Sequence, residues 1–145
     1  MSASTKLSTA VKALCFLAES FPEPRSSSQI SSRIGVNASK LRQLLSLLSK
    51  QSVVTSEKGM TGGFILNKSP DDVDLQSIYC AIEDRKAFHL DVSKYHDVEE
   101  NGIEKFNEYF ADLFADVQID IENKMKNINL KTVMDQLGIK SKFKK

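Results

Sequence analysis

The sequence predicts a mostly α-helical chain that carries one small β-hairpin and ends in a long amphipathic helix. Three observations predict this. Apolar residues recur at helical spacing through the first fifty positions. Two short β-rich runs, "VVT" at 53–55 and "GFIL" at 63–66, flank a glycine-rich loop. A single apolar stripe then continues from about residue 101 to 128.

Residues 5–21 place Leu7, Ala10, Val11, Leu14, Leu17, Ala18 and Phe21 on one helical face. Phe16 falls on the opposite side, and "PEP" at 22–24 ends the helix. "SSSQISSRIG" follows. Its serines offer an N-cap, Ile30 and Ile34 face inward, and Gly35 stops the run. After the turn "GVN", Asn37 caps "ASKLRQLLSLLSKQ". A short helix, a tight glycine turn and a second helix form the helix-turn-helix pattern. With the hairpin behind it, the order is that of a winged helix-turn-helix. "SPDD" breaks the chain, and Asp74 caps a fourth helix over 75–83. Residues 84–100 show no period and read as a connecting segment. The expected organisation is therefore a winged domain over 1–83, the connector over 84–100, and a dimerisation helix with a tail over 101–145. The tail "LKTVMDQLGIK" is expected to add a helical turn or two.

The chain has 145 residues and a net charge of +1, but the charge is divided. Residues 1–69 hold 9 Lys/Arg and 3 Asp/Glu, giving +6; residues 70–145 hold 11 and 16, giving −5. Such asymmetry suits a first half that meets a polyanion, though it also arises by chance. No run is long enough to span a membrane, and the first residues lack the regions of a signal peptide, so a cytoplasmic protein is expected. Cys15 and Cys80 stand far apart in sequence and in no metal-type spacing.

On the third helix, Leu41, Leu44, Leu45 and Leu48 face the core. Ser39, Gln43, Ser46 and Lys50 point away, flanked by Lys40 and Arg42. The outward face carries no acid. A major groove admits one helix, where glutamine can pair with adenine and arginine or lysine with guanine. Residues at the start of a second helix meet base edges in this motif, which singles out Ser39, Lys40, Arg42 and Gln43. The alternative is an ordinary solvated face. The loop "SEKGMTGGFIL" adds Lys58, Gly59, Thr61 and Gly62, a cation and glycines suited to close approach to a phosphate backbone. Ser26, Ser27, Ser28 and Gln29 could hold phosphate at the second helix's N-terminus, cap it, or both.

Along the long helix, Phe106, Phe110, Leu113, Phe114, Val117 and Ile121 lie on the stripe, which over residues 101–128 extends about 40 Å at about 1.5 Å per residue. That exceeds what so small a domain needs for its own core. Burial against a second copy is expected, with Phe16 joining that interface; a monomer whose arm folds back is the alternative. Cys15 reads as core filler. Cys80 lies off the stripe of its helix and is a candidate redox sensor. No phosphate loop, zinc-binding helix or nucleophile elbow points to an enzyme. The rival class is an interaction module that uses a winged fold without DNA.

At this point the sequence resembles the Rrf2 family, the bacterial winged-helix repressors of the IscR, NsrR and CymR type. The resemblance rests on "LS-AV-AL-FLA", "IS-RIGVN-S-LR-LLSLL", "S-KG-TGGFIL" and "L-SIYCAIE", covering residues 6–83 closely and the long helix loosely. It implies a homodimer on double-stranded DNA with a pseudo-palindromic operator, and repression gated by a thiol oxidant, small molecule or similar signal. Cluster-bearing members place three cysteines between the fourth helix and the long helix; residues 84–105 here contain none. The expectation is a member without cluster, metal or other cofactor, His89 and His96 being weak candidates for ligands. Lys58 stands where many members have arginine, which keeps a charge on phosphate but loses the bidentate fork.

Overall fold

The computed structural model describes residues 1–83 and 102–145. The connector, with His89 and His96, lies outside the described residues. Six α-helices are present among them: α1 (Ala3–Ser20), α2 (Ser27–Ile34), α3 (Ala38–Lys50), α4 (Leu75–Ile82), α5 (Ile103–Lys126) and α6 (Leu130–Leu137). Strands β1 (Val54–Glu57) and β2 (Gly63–Leu66) pair antiparallel, Val54 opposite Leu66 and Glu57 opposite Gly63. A 3-10 turn, Pro70–Asp72, sits where the sequence predicts only a break.

The chain forms two compact units. One gathers residues 1–84 with 125–145, and the other is residues 85–124. In the first unit, Leu14, Leu17, Ile30, Leu41, Leu45, Leu48, Ile78, Leu130 and Met134 are fully buried and pack as one core. Each such side chain contributes about 1.5–3 kcal/mol by leaving water. The local signals fall where the chemistry requires them. Ser2 caps α1 by accepting from the Thr5 amide, and Asp74 caps α4 by accepting from the Ser77 amide at 2.8 Å. Gly35 closes α2 in the left-handed conformation, at φ 74°.

The tail is grouped differently from the expected 101–145 unit. Helix α6 is a full eight residues, capped by Asn129 and closed by Gly138, and it belongs to the first unit's core through Leu130 and Met134. Backbone bonds tie it down: Leu75 N–H to Ile128 O at 2.9 Å and Leu130 N–H to Val73 O at 2.7 Å. Farther on, Lys142 N–H donates to Ala18 O at 2.9 Å, and Phe143 packs on Phe21 with ring centres 4.8 Å apart.

In the second unit, α5 keeps its stripe. Phe106 and Tyr109 are 64% and 62% exposed in the single chain, with Phe110 and Leu113 also exposed. Phe110 stacks on Phe114 at 5.6 Å, while Phe114, Val117 and Ile121 are half-buried.

Phe16, expected on the outward side of its helix and in the subunit interface, is half-buried against the first unit's core in the single chain. The guanidiniums of Arg25 and Arg33 lie 5.7 and 5.9 Å from its centre, within cation–π range. The chain turns back after "PEP", and that return covers the face helical spacing leaves open.

Candidate nucleic-acid interface

The candidate reading face draws on α2, α3 and the hairpin. Asn37 caps α3 by accepting from the amides of Ser39 and Lys40 at 2.9 and 3.1 Å. The cap fixes where the helix begins, and with it which residues face outward. Ser39, Lys40, Arg42, Gln43 and Ser46 are all exposed. Ser39, Arg42, Gln43 and Ser46 border one shallow depression with the edge of Leu47. Leu41, Leu44, Leu45 and Leu48 are buried behind them. The side chains available for contact are thus hydroxyl, amide or cation, with no carboxylate among them.

Helix α2 begins with a reciprocal capping box. The Gln29 amide donates to Ser26 Oγ at 3.1 Å, and the Ser26 amide donates to Gln29 Oε1 at 2.9 Å. Gln29 therefore spends its carbonyl oxygen on the cap and keeps its NH2 group for a ligand. Ser27 accepts from Arg42 Nη1 at 3.4 Å, which brings α3's arginine to the start of α2. Ser28 is exposed and free of any such contact.

The hairpin tip holds Lys58, Gly59, Met60, Thr61 and Gly62, and Gly62 N–H donates to Gly59 O at 3.1 Å to close it. A Cβ on Gly62 would lie 2.2 Å from Glu57 O, so only glycine fits that turn. Gly63 is fixed by a different neighbour. Its φ is 153°, and a Cβ there would lie 2.5 Å from the Arg25 carbonyl. The reason is a bridge that sequence reasoning missed: Arg25 N–H donates to Phe64 O at 3.0 Å and Phe64 N–H to Arg25 O at 2.8 Å. The segment before α2 thereby anchors the wing. Sequence reasoning also missed Met60, which is fully exposed at the tip. Glu57 places one acid on the hairpin beside Lys58.

The two cysteines differ. Cys15 is buried in α1, and burial first, then the nearby Glu19 charge, pushes its thiol up to about 11. It is neutral at physiological pH. Cys80 is exposed on α4, with Gln76 Nε2 3.3 Å from its sulfur.

Comparison with known proteins agrees with this geometry. The Rrf2 family model, described as an iron-dependent transcriptional regulator, matches residues 3–136. The chain is 29% identical over 136 residues to YwnA of Bacillus subtilis (strain 168), assigned as an HTH-type transcriptional regulator; the match spans 92% of this chain and 97% of that one. The T. potens IscR structure superposes with a TM-score of 0.68 at 27% identity, covering 94% of this chain and 88% of the other. CymR of B. subtilis, described as the global cysteine regulator, shares the fold at a TM-score of 0.69 and 20% identity, covering 94% of this chain and 98% of the other.

A three-cysteine iron–sulfur site does not fit the cysteines of this chain. The chain has two cysteines, one of them a buried neutral thiol, so it cannot supply three thiolates. Among the described residues no group of three or more His, Cys, Asp or Glu is placed to hold a metal. Also among them, no helix is long and apolar enough to cross a membrane. Family match, winged fold and acid-free α3 face converge: the chain belongs to the Rrf2 family of transcriptional regulators.

Proposed function

We propose that this protein is a homodimeric repressor that reads a pseudo-palindromic operator and works without an iron–sulfur cluster. Helix α3 lies in the major groove, with Ser39, Lys40, Arg42 and Gln43 toward base edges. The hairpin tip, through Lys58, Gly59, Thr61 and the tightly turned Gly62, follows the phosphate backbone. Ser27, Ser28 and the free amide of Gln29 hold phosphate at the start of α2. The exposed stripe of α5 supplies the subunit interface. Two-fold symmetry then sets half-sites about one helical turn apart.

The observation that carries this reading is the outer face of α3. Its exposed residues include three cations, Lys40, Arg42 and Lys50, and no acid, and Arg42 reaches the N-terminus of α2. A module built only to bind protein needs neither feature.

The test uses DNA recovered by crosslinking the protein in cells and sequencing what co-purifies. Arg42→Ala is expected to weaken binding to that DNA by about 5- to 150-fold, the loss of one good base contact at about 1–3 kcal/mol. Lys58→Ala is expected to weaken binding evenly across sequences, as a phosphate contact does. Both variants should remain dimers. If both bind as tightly as wild type, the reading face is misassigned.

A further inference from the structure

A cleft of about 320 Å³ opens in the first unit between α1, the end of α2 and α6. The regulatory reading leaves it unused. Its walls are apolar, with Val11, Ile34, Val133 and Ile139 among them, and its rim carries Lys12, Arg33 and Glu19. The buried, neutral Cys15 adds a small apolar surface to the lining. The volume lies at the small end of the range for ligand pockets, about 300–1,000 Å³.

The rim decides what fits. Neither Lys12 nor Arg33 forms an ion pair with any described residue. Arg33, at the cleft's edge, is steadied over the Phe16 ring, which Arg25 also approaches. Arg25 has its own carboxylate, Glu23 at 3.5 Å, whereas Arg33 has none. Lys12 and Arg33 against Glu19 leave the rim at +1. An apolar wall beneath unpaired cations matches a ligand with an apolar body and one negative end.

We propose that this cleft binds a small amphipathic carboxylate, its chain against Val11, Ile34 and Val133 and its carboxylate on Arg33, with Lys12 assisting. A charge-assisted hydrogen bond to guanidinium fixes the orientation. The short apolar body is all the volume admits.

The probe is octanoate, with 1-octanol and octylamine as uncharged and cationic controls of equal chain length. Titration of the full-length protein by calorimetry and methyl NMR needs no DNA, so its outcome is separate from that of operator binding. Expected are saturable octanoate binding, methyl shifts centred on Val11, Ile34 and Val133, and binding of both controls weaker by at least about tenfold. Arg33→Gln should lose about tenfold or more. Val133→Phe, which fills the cleft, should abolish binding while leaving the thermal midpoint near wild type. The proposal is overturned by equal binding in Arg33→Gln, by shifts centred elsewhere, or by octylamine binding as well as octanoate. The absence of saturable binding up to about 1 mM overturns it too, including where a second copy covers the cleft.

Discussion

Replacing Gly63 with alanine should detach the wing from the body of the domain. The added methyl would sit 2.5 Å from both the carbonyl carbon and oxygen of Arg25 and 2.8 Å from the Ser26 nitrogen. All three are backbone atoms and cannot swing aside as a side-chain tip could. The bridge between Arg25 and Phe64 must therefore open, losing two backbone hydrogen bonds of 3.0 and 2.8 Å. At about 0.5–1.5 kcal/mol net for each bond, the cost is about 1–3 kcal/mol. Once the bridge is open, alanine relaxes away from the positive φ, so strain adds little beyond this. For a chain of this size each kcal/mol lowers the melting midpoint by about 2–4 °C, giving a fall of about 2–12 °C. Circular dichroism melting measures the midpoint, and amide hydrogen exchange reads the bridge itself. The Phe64 amide, bonded to Arg25 O, should lose protection while the core amides of α3 keep theirs. If Gly63→Ala melts with wild type and its Phe64 amide stays protected, the bridge does not anchor the wing.

Other outcomes follow from the same structure. Phe110→Glu places a charge in the middle of α5's exposed stripe, and sedimentation equilibrium should show a 16.2 kDa monomer in place of the proposed dimer; a variant dimer as tight as that of wild type would remove α5 from the interface. At pH 7.5 a thiol reagent should modify one cysteine per chain, the exposed Cys80, and reach Cys15 only on unfolding. Because burial raises Cys15 from its ordinary 9.0 to about 11, the folded state favours the neutral thiol. That contribution to stability is whole below about 9 and is lost as the pH climbs toward 11. In Cys15→Ala, the decline in stability across that alkaline window should be shallower than in wild type.

Much of this architecture is legible in the sequence because local chemistry and tertiary packing agree. The leucines of α3 recur on one face, and that face is the buried one. Asn37 and Asp74 sit where caps are needed, and both accept the expected amides. Gly62 and Gly63 are the glycines whose backbones are most closely approached. The features that escape depend on contacts distant in sequence. Arg25 pairs with Phe64 through a single residue, which leaves no periodicity to read; the signal that points to it is the glycine next door. Phe16 looks outward on a helical projection because a projection omits the arginines that return across it. Helix α6 was open to a closer reading: Leu130, Val133, Met134 and Leu137 keep helical spacing between an asparagine cap and a glycine stop. Its place in the core, fixed by strand-like bonds from Val73 and Leu75, has no counterpart in the pattern. Acid-free composition marks the candidate face on α3, but the base sequence such a face would meet depends on DNA geometry that one chain does not encode.

The salt dependence of operator binding tests the central claim most directly. If two subunits bind as proposed, Lys58 from each supplies two phosphate contacts, so the logarithm of the binding constant should fall against the logarithm of salt concentration with a slope of about −2 or steeper. A slope near zero, or binding that does not change with salt, would contradict an interface built on phosphate contacts.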